Sequence, residues 1–429
     1  MVRVVNRSVP GLAAWCIVFA MASFGARPVR AAEQWIDAEP TAERVASVWK
    51  EGTVATRKEM GRSFVRIATD GKTHPTLAAL RGITPVVDAS DRFVKVLLRV
   101  QNLENLSGIE LRVGSDSLKS TWYSYTVPLY GDPEYNLLQD GEWTTVTMSL
   151  GASNATGTPK RAAIDSIGVL VSDNGKGPVE VDFGGVAVVD GPAQGVVSFT
   201  FDDGYKEHLG AAKLLAEHGW RGTAYVIPET IGRPAYMTVD DLAELRRLGT
   251  DVAAHDDPPL TQVAPNDLEP RLRGIQSYLV DHGHAQGAQH LAYPLGKQET
   301  RRVRPTVNKL FATARLAGSG PETLPPADPH LLRAMNVTDS TTPEQVGAAA
   351  QRARDNHEWL ILMFHWLPEK TAKATDYSMA DFQRALDEVA KTGVRVAPIS
   401  EVWSEIASPP EVALGKGATT SQAPASPAR

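Results

Sequence analysis

An α/β barrel preceded by an antiparallel β-sandwich is the fold class this sequence predicts, on three observations. Short alternating runs separated by turn residues fill residues 33–195. From Val196 onward, apolar strands alternate with amphipathic helical stretches. Several of those strands end in Asp, His or Arg, the pattern expected where the carboxyl ends of parallel strands meet at one rim.

In the first half, FVRIAT, FVKVLLRV, IELRVGS, TWYSYTVPL, WTTVTMSL, IDSIGVLVS and VEVDFGGVAVV are strand-like, with DASD, NLENLSG, DGEW and DNGKGP as turns between them. Many short strands at this spacing predict a sandwich. Trp122, Tyr123, Tyr125 and Tyr130 fall within it. Their rings suit either a core or the face of a sugar, and alternation alone does not say which face is buried.

GPAQG, residues 191–195, reads as a linker. Beyond it come the strand VVSFTFDD, the helix HLGAAKLLAEHGW stopped by Gly219, and the strand GTAYVIP. Next are the helix TVDDLAELRRLG with Thr238 as N-cap, the strand DVAAH, the helix PNDLEPRLRGIQSYLVDHG, the strand HLAYPLG and the helix RRVRPTVNKL. LFATARL, EWLILMFHWL and GVRVAPI complete the strands, and MADFQRALDEVAKTG is the last full helix. About seven strand units between residues 196 and 403 suffice for a closed or nearly closed barrel.

The ends read differently. Arg3 and Arg7, the apolar run GLAAWCIVFAMASFGA and the small residues before Ala31 and Ala32 predict a secretory signal over 1–32. A retained anchor is the alternative, but the run is short of the roughly 20 residues a span needs. Residues 407–429 are polar and proline-rich, which predicts disorder. The expected organisation is thus a signal (1–32), a sandwich with a possible carbohydrate-binding role (33–192), a barrel (193–406) and a tail (407–429). The mature protein would be secreted, periplasmic or held at the cell envelope.

A net charge of −6 argues against a general nucleic-acid binder, which needs a basic face. The single cysteine, Cys16, lies in the signal. A mature chain without cysteine has no disulfide, no thiolate nucleophile and no cysteine-ligated zinc, so histidines and carboxylates must hold any metal. The strand endings TFDD, AAHDD, AYPLG, TARL and MFHW then suggest hydrolysis with a divalent metal. A metal polarises a carbonyl, a free carboxylate takes a proton from water, and an acid protonates the leaving group.

These motifs resemble the polysaccharide deacetylase family (carbohydrate esterase family 4, the NodB-homology domain). TFDDG is similar to its first motif, LAYPLG to its third, FATARL to the following strand and LILMFHWL to its last. The resemblance covers residues 196–403 and implies a distorted seven-stranded (β/α) barrel of the polysaccharide deacetylase type. The sandwich more loosely resembles jelly-roll modules attached to carbohydrate-active enzymes. The family likeness implies Asp202 as general base, Asp203 and His255 as ligands of a divalent metal, usually zinc, and His365 as general acid. It also implies an oxyanion-binding N–H near Leu295, in a turn shaped by Tyr293 and Pro294. The partner it implies is a polysaccharide bearing N-acetylated amino sugars.

The sequence also departs from the family pattern. The second motif is normally His-x-x-x-His, but four residues after His255 stands Pro259. Asp257, and less readily Asp256, are candidate replacement donors, although Asp before Pro is also ordinary turn chemistry. Ala292 stands where the third motif often carries arginine, and Arg315 on the next strand is a candidate source of that charge. His208 is a possible distant ligand or a solvent-facing residue. HGHAQGAQH, with His282, His284 and His290, reads as a solvated loop rather than a zinc cluster. Two functions follow: an exported metal-dependent deacetylase, or a noncatalytic glycan-binding or scaffold protein of the envelope. An esterase or deformylase acting on another acyl group would share the site.

Overall fold

The computed structural model describes residues 32–49 and 51–407. The expected signal up to Ala31 and the expected tail from Ser408 lie outside them. Among the described residues, no helix is long and apolar enough to cross a membrane.

Twelve strands form the first half: β1 (Glu33–Asp37), β2 (Val45–Ser47), β3 (Thr53–Glu59), β4 (Arg62–Ala68), β5 (Thr76–Arg81), β6 (Arg92–Gln101), β7 (Leu106–Gly114), β8 (Trp122–Thr126), β9 (Trp143–Met148), β10 (Asn154–Thr156), β11 (Ser166–Asp173) and β12 (Glu180–Asp190). One antiparallel sheet runs β3-β4-β12-β6-β9 with β1 on β12, and the other runs β10-β8-β7-β11-β5-β2. The period-two pattern explains the packing. Val94, Val96, Leu98 and Val100 of β6 and Ile109, Leu111 and Val113 of β7 are buried in the same core. The intervening Lys95, Leu97, Arg99, Glu110 and Arg112 are only half-buried.

The second half is a closed parallel barrel. β13 (Val196–Phe201), β14 (Thr223–Val226), β15 (Asp251–Ala254), β16 (His290–Ala292), β17 (Thr313–Ser319), β18 (Leu332–Asn336) and β19 (Trp359–Phe364) follow one another in space, and β14 closes on β13. The helices are α1 (Glu207–Glu217), α2 (Val239–Arg247), α3 (Pro265–Asp281), α4 (Val303–Leu310), α5 (Pro343–Asp355), α6 (Met379–Thr392) and α7 (Ile399–Ala407). Thr238 caps α2 as expected, in a reciprocal pair with Asp241.

Several elements differ from the sequence reading, which did not single out β1, β2, β3, β5 or β10 in the sandwich. The run GVRVAPI supplies only the short β20 (Arg395–Val396), which pairs with the start of β13 outside the ring. The seventh barrel strand is instead β18, and α5 and α7 are additional helices. HGHAQGAQH is not a solvated loop, since His284 and His290 are buried. Gly287 explains this: a Cβ there would stand 2.0 Å from the Val252 carbonyl oxygen, so only glycine lets the connection lie directly on β15.

The sandwich and the barrel share a buried polar junction. Arg333 of β18 pairs with Glu322 and donates to the Thr147 carbonyl of β9 (2.8 Å) and the Tyr125 hydroxyl of β8 (3.2 Å). The hydroxyls of Thr147 and Thr323 lie 2.7 Å apart.

Candidate active site

β13 is buried along its whole length, and its six residues Val-Val-Ser-Phe-Thr-Phe deliver two carboxylates to the rim immediately afterwards. The Asp202 N–H donates to the Phe364 carbonyl (2.9 Å), which carries the β13–β19 pairing one residue further. Asp202 is buried, and Arg315 meets it from across the barrel. One terminal nitrogen of Arg315 donates to both Asp202 oxygens, at 2.6 Å to Oδ2. The other donates to the Leu316 carbonyl (2.9 Å), and the guanidinium lies 5.1 Å from the Tyr225 ring centre. A fixed cation holds the carboxylate in one orientation. Arg315 pairs in register with Ala292 of β16. The positive charge absent at Ala292 is therefore present one strand over, at the same level of the barrel.

Asp203 has φ of 75°, in the left-handed region that costs energy for a non-glycine residue. Its carboxylate lies 3.4 Å from His255 Nε2. His255 follows β15, and its Nδ1–H donates to the Ala292 carbonyl (2.9 Å), leaving Nε2 turned towards Asp203. Burial pushes the His255 pKa down, but Asp203 and Asp202 outweigh burial and raise it. Burial likewise pushes Asp203 up, and its contact with His255 more than reverses this, holding it below its ordinary value.

The HDD stretch separates in space. Asp256 is buried and clasped by Arg271 of α3, with both contacts at 2.6 Å. Asp257 is exposed, and only its carbonyl takes a bond from Arg271 (2.8 Å). Pro259 offers no donor. Asp203 and His255 thus make two donors where a catalytic zinc usually has three protein ligands. Among the described residues, no group of three or more His, Cys, Asp or Glu side chains could hold a metal ion. The residues present do not complete such a site.

His365 follows β19 directly and is half-buried at the rim, and its Nδ1 has no hydrogen-bond partner. His208 does not face solvent: it is fully buried on α1, and its Nε2–H donates to the His365 carbonyl (2.8 Å). Burial lowers its pKa to about 4, so it is neutral near pH 7. The signal for this was in the helix periodicity, because His208 shares a face with Ala211, Ala212 and Leu215. Tyr293 is buried beneath the rim, and its N–H donates to the Arg315 carbonyl (3.0 Å). Leu295 is 63% exposed, with φ of 56°, at the turn that follows β16. His282, His284 and His290 form no cluster: His282 bonds to the Tyr278 carbonyl and His290 to the Thr313 hydroxyl.

The fold and the rim define a seven-stranded (β/α) barrel with carboxylates and imidazoles gathered at the carboxyl ends of its strands. Residues 190–314 match the family model for polysaccharide deacetylase. The chain is 26% identical over 116 residues to YxkH of Bacillus subtilis (strain 168), which bears a polysaccharide deacetylase name. That match takes in 26% of this chain and 41% of the length of its relative. Among solved structures, the Xyl-CE4 domain of a multidomain xylanase from the hindgut metagenome of Trinervitermes trinervoides is similar at 15% identity and a TM-score of 0.36, over 51% of this chain and 94% of that one. The chitin deacetylase of Colletotrichum lindemuthianum is similar at 15% identity and a TM-score of 0.35, over 50% of this chain and 69% of that one.

Proposed function

We propose that the barrel hydrolyses the N-acetyl group of amino sugars in a polysaccharide, outside the cytoplasm. The observation that carries this reading is Asp202, held by Arg315 at the same rim as the Asp203–His255 pair. Water attacks the acetyl carbonyl carbon, and Asp202 takes the proton that water loses. The N–H near Leu295 is the candidate donor to the oxygen on which negative charge develops. The C–N bond breaks, His365 protonates the departing amine, and acetate is released. Asp203 and His255 are the two residues that would contact a divalent metal, zinc first.

The test is acetate release from a panel of N-acetylated glycans. Asp202→Asn should lower turnover by about 10² to 10⁴-fold, with the melting temperature nearly unchanged. Full activity in that variant would remove Asp202 as the base. A calorimetric zinc titration of the metal-stripped chain beside His255→Ala tests metal dependence. One tight site lost in the variant would support it.

One specific observation favours a second reading, that of a noncatalytic glycan-binding or scaffold protein: the missing third donor, with Asp256 committed to Arg271. Glycan binding without acetate release from any substrate would put that reading first.

A further inference from the structure

The four clustered aromatic residues of the sandwich, Trp122, Tyr123, Tyr125 and Tyr130, have separate fates. Trp122 lies under the Arg112 guanidinium, the Tyr123 hydroxyl donates to the Pro159 carbonyl, and Tyr125 is buried at the junction. Tyr130 is different. It is 42% exposed, and the loop that carries it contacts Lys297 and Gln298 of the barrel.

That loop is tightly held. The Lys297 ammonium, just past the turn after β16, contacts Asp132 (2.6 Å) and Glu134 (3.1 Å). Gln298 is buried, and it donates from its backbone to the Glu134 carbonyl (2.9 Å) and from its side chain to the Asn136 carbonyl (2.8 Å). The buried Asn136 side chain then grips Tyr130 itself, accepting from its N–H (2.6 Å) and donating to its carbonyl (3.3 Å).

Two close approaches place the ring beside the candidate site. A Cβ on Gly296 would stand 2.5 Å from the Ala317 side chain, and a Cβ on Gly318 would stand 2.9 Å from the Tyr130 hydroxyl. The Leu295–Gly296 turn and the Tyr130 ring therefore rest on adjacent residues of β17, the strand that carries Arg315. Tyr205 and Tyr236, stacked at 5.2 Å, follow β13 and β14, half a turn around the ring from β17.

We propose that Tyr130 is a sugar-stacking platform of the active-site rim, lent by the sandwich to the barrel. It would bind a unit of an N-acetylated amino-sugar chain next to the unit being deacetylated. This rests on the substrate class proposed above. An exposed ring whose backbone is already fixed loses little conformational freedom when a sugar lies on it. A polymer crossing the rim would meet aromatic rings on both sides of the carboxylates.

The experiment is calorimetry on the full chain with the pentamer of N-acetylglucosamine, alongside acetate release from the same probe. Tyr130→Ala should weaken pentamer binding about two- to tenfold, while Tyr130→Phe, which keeps the ring, stays close to the parent. Equal affinity in Tyr130→Ala, or no pentamer binding by the parent chain, overturns the platform. Acetate release with an unchanged KM in Tyr130→Ala would sink the platform and leave the deacetylase reading standing. Binding lost in Tyr130→Ala, in a chain that releases no acetate, would do the reverse.

Discussion

Adjacent barrel strands each carry a buried arginine that clasps a carboxylate: Arg315 on β17 holds Asp202, and Arg333 on β18 holds Glu322. The chemistry is the same, but the surroundings are not. Around Arg333 the polar atoms are used up. Glu322 Oε2 also accepts from the Arg333 N–H (3.0 Å), Glu322 Oε1 from the Thr323 N–H (2.7 Å), and the rest of the guanidinium is spent on Tyr125 and Thr147. Arg315 holds Asp202 through a single terminal nitrogen, and its Nε has no partner. A saturated pair fastens two sheets together. A pair left with open lone pairs on its carboxylate keeps capacity for another molecule.

The largest expected effect lies at the saturated pair. Arg333→Met should cost about 3–5 kcal/mol in urea unfolding, because Glu322 is left buried without a cation. Replacing both residues with apolar ones should recover most of that loss. A cost below about 1 kcal/mol for the single variant would show that the junction is not held this way. The open pair should behave in the opposite manner. Arg315→Met should lower acetate release about a hundredfold, through loss of carboxylate orientation, and cost less stability than Arg333→Met. Equal stability losses would break the comparison.

The smallest effect concerns buried imidazoles rather than guanidinium groups. Burial holds His208 and His290 down to about 4, below the ordinary value of 6.5. The unfolded chain therefore takes up protons first as pH falls. The stability each group contributes is complete above about 6.5 and is lost between about 6.5 and about 4, at about 1.4 kcal/mol per pH unit. Urea midpoints between pH 7 and 5 should fall accordingly, and His290→Gln should flatten the slope. An unchanged slope would mean that His290 is solvated.

The barrel was legible because its signals are local: apolar runs of strand length that end in ionisable residues. The helix α5 was legible too. Thr342, Pro343 and Gln345 form a capping box with proline at the first turn. β18 gave less to read, since Leu-Arg-Ala-Met-Asn mixes sizes and charge. At the rim, TFDD and MFHW showed themselves as strand ends, and Arg315 was visible as a candidate charge. Its contact with Asp202 spans 113 positions and has no local signature. The hold of Arg271 on Asp256 likewise joins a loop to a helix 15 residues away, so HDDPP alone could not tell a donor from a committed carboxylate.

The polar junction has a consequence for modularity. Glu322, Arg333 and Thr147 are all nearly inaccessible, and Arg333 bonds to Thr147 across the sandwich and the barrel. A recombination event that moved one half into another gene would carry away half of this network and open the remainder to water. The rim would lose the Tyr130 loop in the same event. Keeping the two halves in one chain keeps this network closed to water and the Tyr130 loop at the rim it overhangs.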